Sequence, residues 1–223
     1  MRLEELVKEL KPISEVTTTL EWIQLLANHI GMAEKNDRIR ITGGELCCKI
    51  YDSPEVINAF VVANRKGAKI QIISGPILSV WMKKIPPKSK MESVPKNRII
   101  ELVKDGIVEL YYRESRAEIH YRVVGNGTAK IVHVESPHSP LAPAINRQKL
   151  DISAQKQKEL YKVAKEEFDA LIADGKVMLS SNPEKDFLVL SVDQIKELNK
   201  KAQEREIDLN SLSHSEIKCF LKI

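Results

Sequence analysis

The chain has 223 residues, 43% of them hydrophobic and 30% charged, with 35 basic against 31 acidic side chains and a formal net charge of +4. That profile describes an ordinary soluble globular protein, one large domain or one domain with a small addition, and the mild charge does not by itself specify nucleic acid. No window reaches the apolar length of a membrane span, Met1-Arg2-Leu3-Glu4-Glu5 begins no signal segment, and three cysteines, two adjacent at Cys47 and Cys48, give neither a disulfide framework nor zinc spacing, so a cytoplasmic setting is expected.

Residues 1–34 read as helical. Leu3, Leu6, Val7 and Leu10 recur at helical spacing, Pro12 interrupts, and a second helix is expected from Val16 to Ile30, with a soft start at the poor helix formers Thr17, Thr18 and Thr19. Arg38-Ile39-Arg40-Ile41-Thr42 is a first strand. Ser53-Pro54-Glu55 is a helix start, with a capping serine, a proline at the first helical position and then an acid. That helix runs to Lys66 and closes at Gly67. Lys69 to Ser74 is the next strand, ending at Gly75-Pro76.

A loop over residues 75–95 follows, rich in proline and lysine. Lys83, Lys84, Lys88, Lys90, Lys96 and Arg98 crowd this part of the chain. Such a loop is usually just solvated, but lysines at the carboxyl end of a strand are also placed to line an anion site. A helix from Lys96 to Lys104 closes at Asp105-Gly106. Strands are expected at 107–112, 118–124 and 128–135, the last two joined by the turn Gly125-Asn126-Gly127. The order β-α-β-α-β-β-β implies parallel pairing where strands alternate with helices.

The strand Glu118-Ile119-His120-Tyr121-Arg122-Val123-Val124 carries the chemistry. Period-two geometry groups Glu118, His120 and Arg122 on one face. An imidazole beside a fixed guanidinium is a phosphate-handling pair, since the ring attacks phosphorus or moves a proton while guanidinium grips phosphate oxygens. Taken alone, those residues equally describe a solvated strand face that carries one histidine.

After Ser136-Pro137-His138-Ser139-Pro140, a long amphipathic helix is expected from Ser153 to Ala173, ending at Asp174-Gly175. A hairpin is expected from Lys176–Ser180 and Asp186–Leu190, followed by a polar helix from Val192 to Arg205 and a weakly patterned tail from Glu206. No internal repeat or low-complexity tract is visible. The expected division is a helical segment at 1–35, an α/β core at 36–150 and a C-terminal unit at 151–223, either a helix-hairpin-helix cap or a winged-helix-like module.

Residues 36–137, under half the chain, resemble one repeat of the phospholipase D superfamily. The resemblance rests on a strand, a Ser-Pro-capped helix, the strand Arg65-Lys66-Gly67-Ala68-Lys69-Ile70-Gln71-Ile72-Ile73, a helix ending Leu102-Val103-Lys104-Asp105-Gly106, and the His-x-Arg strand. That family carries His-x-Lys, four residues, then Asp. His120 matches its nucleophilic histidine, Arg122 stands where it has lysine, and Gly127 stands where it has aspartate. The resemblance implies an α/β, phospholipase D-like sandwich core, a mixed β-sheet flanked by helices, plus a C-terminal α+β appendage. It also implies covalent phosphohistidine chemistry without a metal or other cofactor, and an active site built from two motifs. This chain holds one motif, so an active form would be a homodimer.

Glu118 and Glu135 are the candidates for the missing carboxylate that orients histidine. Ser136, His138 and Ser139 are candidate phosphate contacts, or turn residues, and Lys83, Lys84 and Lys88 are candidate polyanion contacts. His29, His133 and His214 read as structural or surface residues, Cys47-Cys48 as packing, and Trp22 and Trp81 as packing anchors, with Trp81 also placed to stack on a base. The expected function is a phosphodiesterase of nuclease type, acting on nucleic acid or a small phosphodiester. The alternative is a catalytically inactive module of the same fold used for nucleic-acid binding or assembly.

Overall fold

The computed structural model describes residues 12–15, 19–80, 98–113, 120–125, 129–135, 148–150, 154–209 and 212–223. Their elements run β1 (Pro12–Glu15), α1 (Thr19–Gly31), β2 (Arg38–Cys47), α2 (Cys48–Tyr51), α3 (Pro54–Arg65), β3 (Lys69–Val80), α4 (Arg98–Lys104), β4 (Val108–Tyr112), β5 (His120–Gly125) and β6 (Ala129–Glu135). They continue as β7 (Gln148–Leu150), α5 (Ala154–Ala173), β8 (Met178–Leu179), α6 (Pro183–Asp186), β9 (Leu188–Ser191), α7 (Val192–Glu204) and α8 (His214–Leu221). The fold is mixed α/β, with a mixed sheet flanked by helices, as the sequence led us to expect.

Among the described residues seven strands form one sheet in the order β6-β5-β2-β3-β4-β8, with β9 also paired to β3. β2, β3 and β4 are parallel neighbours, while β5 and β6 complete one side as antiparallel strands. The helix between β2 and β3 starts as its sequence dictates: the Ser53 side chain accepts from the Val56 N–H, and Pro54 occupies the first turn, where no N–H is needed. Gly67 closes that connection at φ +91°, a conformation that costs glycine little and other residues more.

β2 is buried on both faces. Ile39 and Ile41 join Ile70, Ile72, Val108 and Leu110 on the face covered by α1 and α3, whose Leu26, Ile30, Val56, Phe60 and Ala63 complete the core. Alternation puts Arg40 on the opposite face, under α5. Arg40 is 1% exposed; its Nη2 meets Asp169 Oδ1 at 3.2 Å, and its guanidinium lies 5.8 Å from the Phe168 ring centroid. Arg40 Nε and Nη1 are buried with no partner among the described residues.

Four readings of the sequence are corrected. Residues 12–15 are not helical: Pro12–Glu15 pairs antiparallel with Gln148–Leu150, an interaction between distant segments that local pattern does not encode. Strand β3 does not stop at Gly75-Pro76 but runs through it. Gly43 pairs with Ser74 and Glu45 with Ile77, so Gly75 and Pro76 together oppose Gly44 in a bulge, where a proline without an N–H is tolerated. β8 and β9 do not form a hairpin. β8 pairs with β4 and β9 with the far half of β3, and a short helix occupies the expected turn. The tail holds α8, opened by a capping box in which Ser213 accepts from the Glu216 N–H and Glu216 accepts from the Ser213 N–H.

The Arg40–Asp169 pair ties α5 to the sheet. Asp169 is 42% exposed, so it keeps part of its hydration, whereas Arg40 does not. Asp169→Ala is expected to cost about 2–3 kcal/mol, more than the ~1 kcal/mol of an exposed pair, because it strands a buried cation. Arg40→Met added to it should recover most of that loss. Urea unfolding of the three variants checks this, and a neutral Asp169→Ala would show that the pair does not hold the layer.

Candidate active site

The carboxyl ends of parallel strands are where open α/β sheets place ligands; here β4 ends at Tyr112, while its parallel neighbours β3 and β2 continue to Val80 and Cys47. Gly43 of β2 pairs with Ser74 of β3, and Ser74 pairs with Tyr112 of β4. On the other side of β2, Ile41 pairs with Arg122 of β5, and Arg122 pairs with His133 of β6. His120 pairs with Glu135. The β2–β5 pairing runs from Arg38–Gly125 to Ile41–Arg122. One rung thus joins Ile72, Ile41, Arg122 and His133, and a second joins Gly43, Ser74 and Tyr112.

Cross-strand partners share a face. Positions 120, 122, 133 and 135 thus fall on the face of Ile39 and Ile41, opposite to that of Arg40. The sheet brings together the positions of His120, Arg122 and Glu135 and adds that of His133, which the sequence reading had left as a structural or surface residue. Glu118, Ser136, His138, Ser139, Lys83, Lys84 and Lys88 lie outside the described residues, as does Trp81. The strand face expected from sequence therefore holds for His120 and Arg122 as backbone register.

Two residues of the second rung escaped the sequence reading. Ser74 is fully buried, and its Oγ has no partner among the described residues, although its backbone carbonyl accepts from the Arg113 N–H at 3.0 Å. Tyr112 meets the Phe187 ring edge-on at 5.6 Å and the His214 ring at 6.4 Å. His214 Nε2 is also buried without a partner among the described residues. Burial, with a smaller contribution from the Lys218 charge, lowers the His214 pKa below its ordinary value. The signals were faint: a serine before Gly-Pro reads as a strand end, and a tyrosine ending a strand reads as packing.

The opposite face carries a different cluster. Lys69 Nζ lies 2.8 Å from Glu109 Oε1, Gln71 Nε2 donates to Glu109 Oε2 at 2.9 Å, and the Tyr111 hydroxyl donates to the same oxygen at 3.1 Å. Burial pushes the Glu109 carboxyl up, but hydrogen bonds from Lys69, Gln71 and Tyr111 and the Lys69 charge outweigh it, so the pKa lies below its ordinary value. Burial and the Glu109 charge raise that of Tyr111. These groups satisfy one another and brace β3 against β4.

Comparison with known proteins adds similarity at a distance. No family model matches the chain, and no curated protein does. Among solved structures, TrmBL2, an archaeal chromatin protein described as showing a novel mode of DNA binding, is similar at a TM-score of 0.42 and 14% identity, over 80% of this chain and 59% of that one. A polyphosphate kinase from Porphyromonas gingivalis is similar at a TM-score of 0.42 and 13% identity, over 92% of this chain and 33% of that one. The chain thus spans less than two thirds of either neighbour. No helix among the described residues is long and apolar enough to cross a membrane.

The Glu109 cluster gives a signed prediction. A carboxylate whose folded pKa is depressed adds stability above its unfolded pKa, near 4.5, and loses it as pH falls through the lower folded value. Glu109→Gln should therefore be less stable than wild type at neutral pH and flatter on the acid limb, with the two converging below the folded pKa. Melting temperatures measured from neutral pH down to about pH 3 test this, and parallel acid limbs would contradict it.

Proposed function

We propose that the chain is a phosphodiester-handling protein of phospholipase D-like type, active as a homodimer. The observation that carries this reading is the register of β5: His120 stands opposite Glu135, with Arg122 two residues along on the same face and paired with Ile41 of the parallel strand β2. The Glu135 carboxylate fills the role left open by Gly127, holding the imidazole in the tautomer that leaves the other ring nitrogen free to attack.

His120 attacks phosphorus, the phosphorus–oxygen bond to the leaving alcohol breaks, and a phosphohistidine forms. Water then displaces histidine from phosphorus. Splitting one displacement into two is ordinary covalent catalysis. The second histidine, which protonates the leaving oxygen and later deprotonates water, is His120 of the other subunit. Arg122 grips the non-bridging oxygens as a planar fork, which lysine does not reproduce. The lysines of residues 83–88 favour an extended polyanion over a lipid, and so a nuclease over a lipid hydrolase.

A second reading is favoured by one observation, the glycine at position 127 in a chain with a single motif. It keeps the fold and the anion-binding face for nucleic-acid binding or assembly and loses turnover.

Hydrolysis of bis(p-nitrophenyl) phosphate by the purified full chain separates the two. On the enzymatic reading His120→Ala lowers turnover by about 10³-fold, acid quench of the wild type traps an acid-labile phosphoprotein, and Arg122→Lys raises KM. Turnover that survives His120→Ala rules out the histidine nucleophile. No turnover, with nucleic-acid binding that weakens as salt rises, selects the binding module.

A further inference from the structure

The C-terminal part of the chain has a core of its own. Leu188 and Leu190 of β9, Leu198 of α7, and Ile217 and Leu221 of α8 pack on Ile77, in the part of β3 beyond its pairing with β4. The main core includes Phe187, and Tyr112 packs against it. His214 joins the two clusters. It opens α8 directly after the capping Ser213, and its ring lies 6.4 Å from that of Tyr112, which in turn meets Phe187.

The surroundings of this ring suit a neutral imidazole. Nε2 is buried and has no partner among the described residues. A neutral ring carries one N–H and can keep it at Nδ1. An imidazolium carries two, and the one at Nε2 would be a buried donor without an acceptor. The first turn of a helix also disfavours a cation. The elements packed here carry Arg113, Lys185, Asp186, Glu216 and Lys218, and the Tyr112 phenol. Asp186 accepts from the Ser180 hydroxyl and the Asn182 N–H, and Glu216 from the Ser213 N–H, so both acids are engaged elsewhere. The charge that acts on His214 is that of Lys218, one turn along α8, and it repels a second cation.

We propose that α8 is a proton-released clasp: protonation of His214 frees the helix from Tyr112 and opens the C-terminal core while the main sheet stays folded. The inference is independent of the phosphodiester reading. α8 contributes no strand, so its release leaves every described strand pairing intact. Burial and Lys218 set the docked pKa below the ordinary 6.5, so the released ring binds its proton more readily than the docked one. Docking is therefore fully favoured above about pH 6.5 and weakens as pH falls from there toward the docked pKa.

Hydrogen exchange of the full chain, read by mass spectrometry and corrected for the intrinsic rate at about pH 7.5 and about pH 5.5, tests this. The opening equilibrium of the α8 amides should rise severalfold at the lower pH, up to about tenfold, the most that one proton with a free pKa near 6.5 can give. Amides of β2 and β3 should show no such rise. In His214→Phe, which keeps an aromatic ring and takes no proton, the ratio between the two pH values should fall to near one. His214→Gln repeats the comparison where the larger ring disturbs packing, because the ratio and not the level of protection is read. α8 protection that is the same at both pH values in the wild type overturns the proposal. So does a rise that persists in both variants, or one shared equally by β2 and β3, which would mark acid unfolding of the whole chain.

Discussion

The structure is organised by the two-sided burial of β2. A strand with one wet face needs only one covering layer, but β2 presents Ile39 and Ile41 to α1 and α3 and Arg40 to α5. Both layers must be present for its residues to leave water. The isoleucine face is ordinary hydrophobic burial, in which each side chain of this size contributes about 1.5–3 kcal/mol. The arginine face is different in kind. A guanidinium at the centre of a sheet holds its place through Asp169, the Phe168 ring and the aliphatic part of its own stem, and it fixes where α5 lies.

That arrangement determines which face is left for chemistry. Positions 43, 74 and 112, and positions 120, 122, 133 and 135 of β5 and β6, belong to the isoleucine face. The Lys69–Gln71–Glu109–Tyr111 cluster belongs to the other face and is self-satisfied. Unpartnered buried polar atoms lie on both faces, Arg40 Nε and Nη1 under α5 and Ser74 Oγ on the isoleucine face, whereas the Glu109 cluster completes itself.

Much of this was legible from local chemistry. Ser53-Pro54-Glu55 and Gly67 bounded a helix by capping and by positive φ, and the alternation of strands with helices implied the parallel pairing of β2, β3 and β4. What was not legible depended on distant partners. Pro12–Glu15 became a strand because Gln148–Leu150 reached it, and Met178–Leu179 and Leu188–Ser191 joined the main sheet rather than each other. Arg38-Ile39-Arg40-Ile41 alternates like a strand with a solvated face, and nothing nearby in the chain announces that α5 covers Arg40. Ser213 and Glu216 did carry a signal for α8, the three-residue spacing of a capping box, and it went unread in a weakly patterned tail. The strand bearing His120 was legible, whereas its antiparallel register against β2 was not.

The bulge at Gly75-Pro76 has a consequence for how the chain reaches this state. It lets β3 continue beyond β4 and accept β9 over Ile77–Val80. The two segments are separated by roughly a hundred residues, and closing a loop of that size slows folding more than it weakens the product. During synthesis the distal half of β3 therefore waits with an apolar, unpaired edge until β9 has emerged. Such an edge is a template for pairing with another chain. A proline within the waiting segment removes one of its hydrogen-bond donors, so the residue that bends the finished sheet also blunts the edge of the unfinished one.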